Sequence, residues 1–319
     1  MNRRARPAQR GVALLAAIVI FAIAAAIAVG IQFRSALALR RAAGSAAVEQ
    51  AFQAQTGAEG LAAWALAKDN NKSDDWNEDW HSAQGPFELI DGVSILGQVT
   101  DLDGRLNLNS LVDDKGVKDA VTLEILQRLM QLLAIPAQKA DLIVDYMDPD
   151  QQPESNGGED SLYSAQQPPH RPPNHPMLHV SELLSIPQFG LEHYLLLAPH
   201  VTALPRDLRK INLCTASGTL LDALVNQKLW SANASTLLTQ RKSGCYPTDT
   251  QLQALFISGN PADFQKISDR IKVRSDFFEL RSLVTIGPQP FDLTSLLMRR
   301  DTGARPEVRV LTRTMTDGQ

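Results

Sequence analysis

Apolar positions along this chain come in three textures. From Val12 to Ile31 they run unbroken by any charge. From Ser35 to Lys68 they recur among Ala, Leu, Gln, Glu and Arg, without a proline. Beyond Asn70 they break into short alternating stretches and amphipathic helical ones. The first texture predicts a membrane-spanning helix, because roughly twenty apolar residues at about 1.5 Å each match a bilayer core. The second predicts that the same helix continues to Lys68, about 85 Å in all. A cleaved secretory signal, for which Ala22-Ile23-Ala24 offers a peptidase site, leaves that extension without a use.

The polar, acidic run from Asn71 to Trp80 reads as a loop closing the helix. Phe87–Ile90, Val93–Val99 and Leu106–Leu108 then read as the first strands of a sheet. Asp101-Leu102-Asp103-Gly104 between them is a turn; the downstream glutamate of a calcium-binding EF-hand is missing. From about Val112 to Lys272 the period becomes helical, with Leu123, Ile125, Leu126, Leu129, Met130, Leu132 and Leu133 on one face and a second short helix over Ala140–Tyr146. Further helices are expected at Val180–Ile186, Thr219–Leu229, Ala232–Arg241 and Thr250–Phe256. Strand patterning returns in Phe277–Ile286 and Val308–Thr312. The expected fold class is α+β: a long N-terminal transmembrane helix, an antiparallel sheet and a large helical domain inserted in the sheet region. An internal echo, Arg105-Leu106-Asn107-Leu108-Asn109-Ser110 against Lys210-Ile211-Asn212-Leu213-Cys214-Thr215-Ala216, suggests two units of similar construction.

Charge sets the orientation. The chain has 31 basic and 35 acidic side chains, but Arg3, Arg4, Arg6 and Arg10 crowd its first ten residues. The positive-inside rule places that end in the cytoplasm and everything beyond Arg34 outside it. An acidic body lacks the basic footprint of a nucleic-acid binder, so paired short helices of the helix-hairpin-helix kind are read here as structural. In an oxidising compartment the two cysteines, Cys214 and Cys245, suffice for one bridge.

Asp145, Asp148, Asp150, Glu154, Glu159 and Asp160 gather around prolines and glycines. That leaves two readings, a solvated acidic loop or a calcium site built from Asp145, Asp148, Asp150, Glu159 and Asp160. His170, His175 and His179 are interleaved with prolines and share no helix face, so they read as surface loop and not as a zinc site. No phosphate loop, nucleophile elbow or zincin motif occurs, and no residue stands out as catalytic.

Arg10-Gly11-Val12-Ala13-Leu14-Leu15-Ala16 resembles a type IV prepilin signal, in which a peptidase cuts after glycine ahead of an apolar helix that stays on the mature protein. The cut would fall between Gly11 and Val12, with methylation of the new N-terminus. Pilins carry glutamate at the fifth mature residue; this chain has Ala16. That absence, together with Ile143-Val144-Asp145-Tyr146-Met147-Asp148-Pro149-Asp150, Gly157-Gly158-Glu159-Asp160 and Val180-Ser181-Glu182-Leu183, resembles the K-type minor pseudopilins of type II secretion systems. The resemblance implies the pseudopilin fold, calcium in the acidic loop, and no enzymatic activity. It divides the chain into a leader (1–11), an N-terminal helix (12–68, with 12–33 in the inner membrane), two sheet parts (69–111 and 273–319) and an inserted helical domain (112–272). It also implies a role capping the secretion pseudopilus, controlling its initiation or length, with a periplasmic C-terminal domain. Its partners would be I-type and J-type minor pseudopilins and the prepilin peptidase, with the major pseudopilin and exported proteins as further contacts. The competing reading is a membrane-tethered periplasmic enzyme or a DNA-uptake binding module.

Overall fold

The computed structural model describes residues 10–69, 71–224, 238–239, 241, 245, 268–301 and 306–317. Helix α1 runs without a break over Arg10–Lys68. Its first half is bare: Val12, Leu14, Leu15, Ile18, Phe21, Ile27 and Phe33 are all more than half exposed. The helix is long and apolar enough to cross a membrane, and its most apolar stretch is not buried within the protein. Such a surface is stable only against lipid or other apolar helices.

The second half of α1 lies on a five-stranded antiparallel sheet. Strands β1 (Gln84–Ile90), β2 (Val93–Asp101) and, after the rest of the chain, β7 (Phe277–Ile286), β8 (Gln289–Arg300) and β9 (Glu307–Asp317) pair in the order β1-β2-β7-β8-β9. Small side chains make close packing possible. Ala47, Ala51, Ala54, Ala58 and Ala62 recur every three or four residues along one face of α1, as successive helical turns require. They meet Val93, Ile95, Phe278, Leu280, Val284, Leu293 and Leu297. Gln55 and Glu59 share that buried face. Gln55 Nε2 donates to Ser295 Oγ at 2.6 Å, Ser295 Oγ donates to Glu59 Oε1 at 2.6 Å, and Arg313 grips both Glu59 oxygens at 2.8 Å.

β8 was not expected from the pattern. Its buried Phe291, Leu293, Ser295, Leu297 and Arg299 do alternate, but a serine and an arginine stand where apolar residues were sought. The strand-like stretch at Leu106–Leu108 also fell elsewhere. Only Leu106–Asn107 (β3) is extended, and it pairs in parallel with Val201–Thr202 (β4) instead of joining the large sheet.

Between β2 and β7 the described residues build one core. It holds α2 (Ala120–Leu132), α3 (Ala140–Met147), α4 (Asp160–Ser164), α5 (Leu191–Leu197) and α6 (Gly218–Leu224), with β5 (Ile211–Asn212) and β6 (Ile271–Lys272) paired in parallel. Leu106, Leu108 and Leu111 are buried in that core, and its last strand ends at Lys272. Val180–Ser185 forms a 3₁₀ helix where a helix to Ile186 was expected. Helix Thr219–Leu229 is seen as far as Leu224. The expected helices at Ala232–Arg241 and Thr250–Phe256 lie outside the described residues except at 238–239 and 241.

The internal echo has a structural meaning. Asn107 and Asn212 each sit in a two-residue strand and tie loops together by side-chain bonds. Asn107 Oδ1 accepts from the Leu204 N–H at 2.9 Å, and its Nδ2 donates to the Pro205 and Leu208 carbonyls. Asn212 Nδ2 donates to the Asp74 carbonyl, to Asp101 Oδ2 and to Ser275 Oγ. The second asparagine therefore joins the helical domain to the sheet.

Candidate functional site

Two features carry the expected function: the apolar end of α1 and the acidic loop. Gly11 and Val12 lie in the first turn of α1, and Ala16 follows about one turn on. No acidic residue occurs in that first turn, nor anywhere before Glu49.

The acidic loop is built from the end of α3. Ala140, Ile143, Val144 and Met147 bury one side of that short helix, which draws Asp145 into the interior, while Pro149 ends the helical run after Asp148. The Asp145 carboxylate is tied into the loop's backbone, accepting the Glu154 N–H at 3.0 Å and the Gly158 N–H. Gly157 is required there, because a Cβ at that position would come 2.0 Å from Asp145 Oδ2. Burial still lifts Asp145 to about 6, above the usual carboxylate range.

Folded this way, the loop brings Asp148, Asp150 and Glu159 together, with one oxygen from each within 4.8 Å of the others. Asp148 and Glu159 are buried and Asp150 is exposed. Asp148 Oδ1 and both Glu159 oxygens are shut off from solvent with no hydrogen-bond partner among the described residues. Orphaned acceptors of this kind are costly, and they fit a hard, oxygen-seeking cation. Burial pushes Asp148 up to about 7, helped by the neighbouring Asp150 and Asp145, and it pushes Glu159 to about 7 with help from Asp145 and Asp148. Calcium would meet Asp148, Asp150 and Glu159 directly. Asp160 stands apart at the start of α4, 3.4 Å from Arg171.

Cys214 and Cys245 are joined as a disulfide with Cα atoms 5.2 Å apart. His170 and His175 bond to nearby proline carbonyls, and His179 caps the 3₁₀ helix at Val180–Ser185. The sequence reading missed the junction between the two cores. There Arg299 spans Asp69 and Asp74. Asp101 accepts from Thr215, Ser275 and Asn212, and Lys272 pairs with Asp103 at 2.7 Å. These partners lie far apart in the chain, so no local motif announces them.

A bare apolar helix that runs onto an antiparallel sheet, with a helical domain set between two of its strands, defines the class of a pseudopilin. Residues 104–206 match the family model of the type II secretion system protein K. The type II secretion system protein K of Pectobacterium carotovorum is 30% identical over 92% of this chain and 93% of its own length. That of Pseudomonas aeruginosa is 29% identical over 98% and 95%. One chain in the crystal structure of the GspK-GspI-GspJ complex from enterotoxigenic Escherichia coli is 26% identical, with a TM-score of 0.74 over 87% of this chain and all of that one. The chain belongs to the type II secretion system protein K family, the minor pseudopilins. Its relatives are components of a secretion machine, not enzymes.

Proposed function

We propose that this subunit caps the tip of the secretion pseudopilus and sets its initiation or length. The observation that carries the reading is Ala16. A filament of apolar helices buries the amine at each new N-terminus, and a buried charge without a partner is costly. Glutamate at this position would supply the partner; alanine cannot, so no further subunit is accepted behind it. The helical domain between β2 and β7 adds bulk that blocks stacking beyond.

In this reading the prepilin peptidase cuts between Gly11 and Val12, and the exposed apolar helix holds the protein in the inner membrane with its body in the periplasm. The arginines ahead of Val12 support that orientation. Beyond the membrane, Val48, Phe52, Leu61 and Trp64 stay exposed along α1. They suit packing against the helices of I-type and J-type minor pseudopilins, the components with which the enterotoxigenic relative was crystallised. Calcium held by Asp148, Asp150 and Glu159 stiffens the helical domain.

Deletion should stop export of secreted proteins and change pseudopilus number or length. Complementation with Ala16→Glu should restore subunit insertion but not length control, read by electron microscopy of overexpressed pilus. Unchanged export in the deletion strain, or normal filament length with Ala16→Glu, would contradict the cap. Mass measurement of the mature N-terminus should give methylated Val12.

A further inference from the structure

The loop that follows α1 carries a second set of carboxylates that the tip reading does not use. Asp69, Asp74 and Glu78 each place one oxygen within 4.8 Å of the other two. A cluster of acids alone would be unremarkable on a surface, but Asp74 is wholly buried. Its Oδ2 is taken by Arg299 and by the Ser275 N–H at 2.6 Å. Its Oδ1 is the atom left over, shut off from solvent with no hydrogen-bond partner among the described residues. A buried acceptor without a donor marks a missing proton, water or ion.

Charge decides among these. Arg299 lies 3.0 Å from Asp69 Oδ2 as well as bonding Asp74, so the three carboxylates share one guanidinium, which is bonded to two of them. The excess of two negative charges equals the charge of one divalent cation. Glu78 already accepts Trp80 Nε1–H at 2.7 Å, and Asp69 accepts the Asn71 N–H at 2.9 Å, so the carboxylates are fixed in place by neutral donors that leave their charge uncancelled.

We infer that Asp69, Asp74 and Glu78 hold a hard divalent cation where α1 hands over to the sheet. Three carboxylate oxygens leave the remaining positions to water, as calcium and magnesium sites both allow. The ion would clamp the end of α1 to β8, through Arg299, and to the sheet's edge loop.

The site has its own reporter, because Trp80 touches Glu78 while the aromatic neighbours of the Asp148 loop are Tyr146 and Tyr163. Terbium added to the detergent-purified full chain, with excitation where only tryptophan absorbs, should give sensitised emission that calcium or magnesium displaces. Glu78→Gln keeps an acceptor for Trp80 and should cut terbium affinity by about tenfold or more. The double variant D148N/E159Q should leave the emission intact while removing the loop's calcium uptake in calorimetry. Each variant's melting in chelator shows that it is folded. Emission absent in the wild type, undiminished in folded Glu78→Gln, lost instead in D148N/E159Q, or unaffected by either divalent ion would overturn the inference. Failure of calcium uptake by the loop alone would leave it standing.

Discussion

The two carboxylate clusters differ in what stands opposite their charge. At the junction, Asp69 and Asp74 share Arg299, which is buried and also donates to the Ser275 carbonyl. In the loop, a cation acting on Asp148 is Lys118, and it is bonded to Glu154 on the partly exposed rim. A buried charge is tolerated when it is paired and hydrogen-bonded. The junction brings one countercharge, Arg299, from another strand, so forming that pairing is part of folding. The loop brings almost none and depends on what it binds.

Removing Arg299 is therefore the most damaging single change in either place. Arg299→Ala would strand Asp69 and Asp74 without a cation and should cost about 3–5 kcal/mol in a denaturation series on the full chain. Lys118→Ala at the rim should cost less than about 1 kcal/mol. Equal costs would erase the distinction. Removing the disulfide with C214S/C245S comes next. The bridge closes a loop with a sequence separation of 31, for which chain entropy gives about 3.7 kcal/mol. Because the Cys245 N–H donates to Asp75 in the junction loop, the damage should appear at the junction, as faster hydrogen exchange there. The loop's calcium affinity should not move, and a matching loss of calcium binding would show that the two clusters form one unit.

Calcium gives the next effect. If Asp148, Asp150 and Glu159 bind it only in the folded state, calcium at a hundred times its dissociation constant should add about 2.7 kcal/mol of stability. D148N/E159Q should lose most of that gain, and Glu78→Gln should keep it. A wild-type melting temperature indifferent to calcium would remove the loop from the account.

How much of this could be read from sequence follows from the same contrast. The rod was legible because twenty apolar residues and the absence of proline are local facts, and the loop's acids were legible because they lie close together between Asp145 and Asp160. What sequence left open was which of those acids converge. Asp145 turns inward onto the Glu154 and Gly158 backbone, and Asp160 turns out to Arg171. The junction was not legible at all. Asp101 and Asp103 read as turn residues, which their placement before Gly104 supports, but their partners are Asn212, Thr215, Lys272 and Ser275. Arg299 hid β8 by occupying an inward position, since an alternation rule expects an apolar residue there.

The smallest effect is pH dependence without metal. Burial raises Asp148 and Glu159 to about 7 from ordinary values of 3.8 and 4.5. Between those values the folded chain holds protons that the unfolded chain has released, so raising the pH favours unfolding. In chelator, the stability these two groups contribute is therefore present below about pH 4 and is lost progressively as pH rises through 7. Each unit of displacement is worth about 1.4 kcal/mol before solvent screening reduces it. D148N/E159Q should flatten the slope in that window. In saturating calcium the ion replaces the protons, so neither the folded nor the unfolded chain holds protons on these groups in that window and the wild-type slope should vanish. A wild-type slope unchanged by calcium would mean that Asp148 and Glu159 keep their protons and never meet the ion.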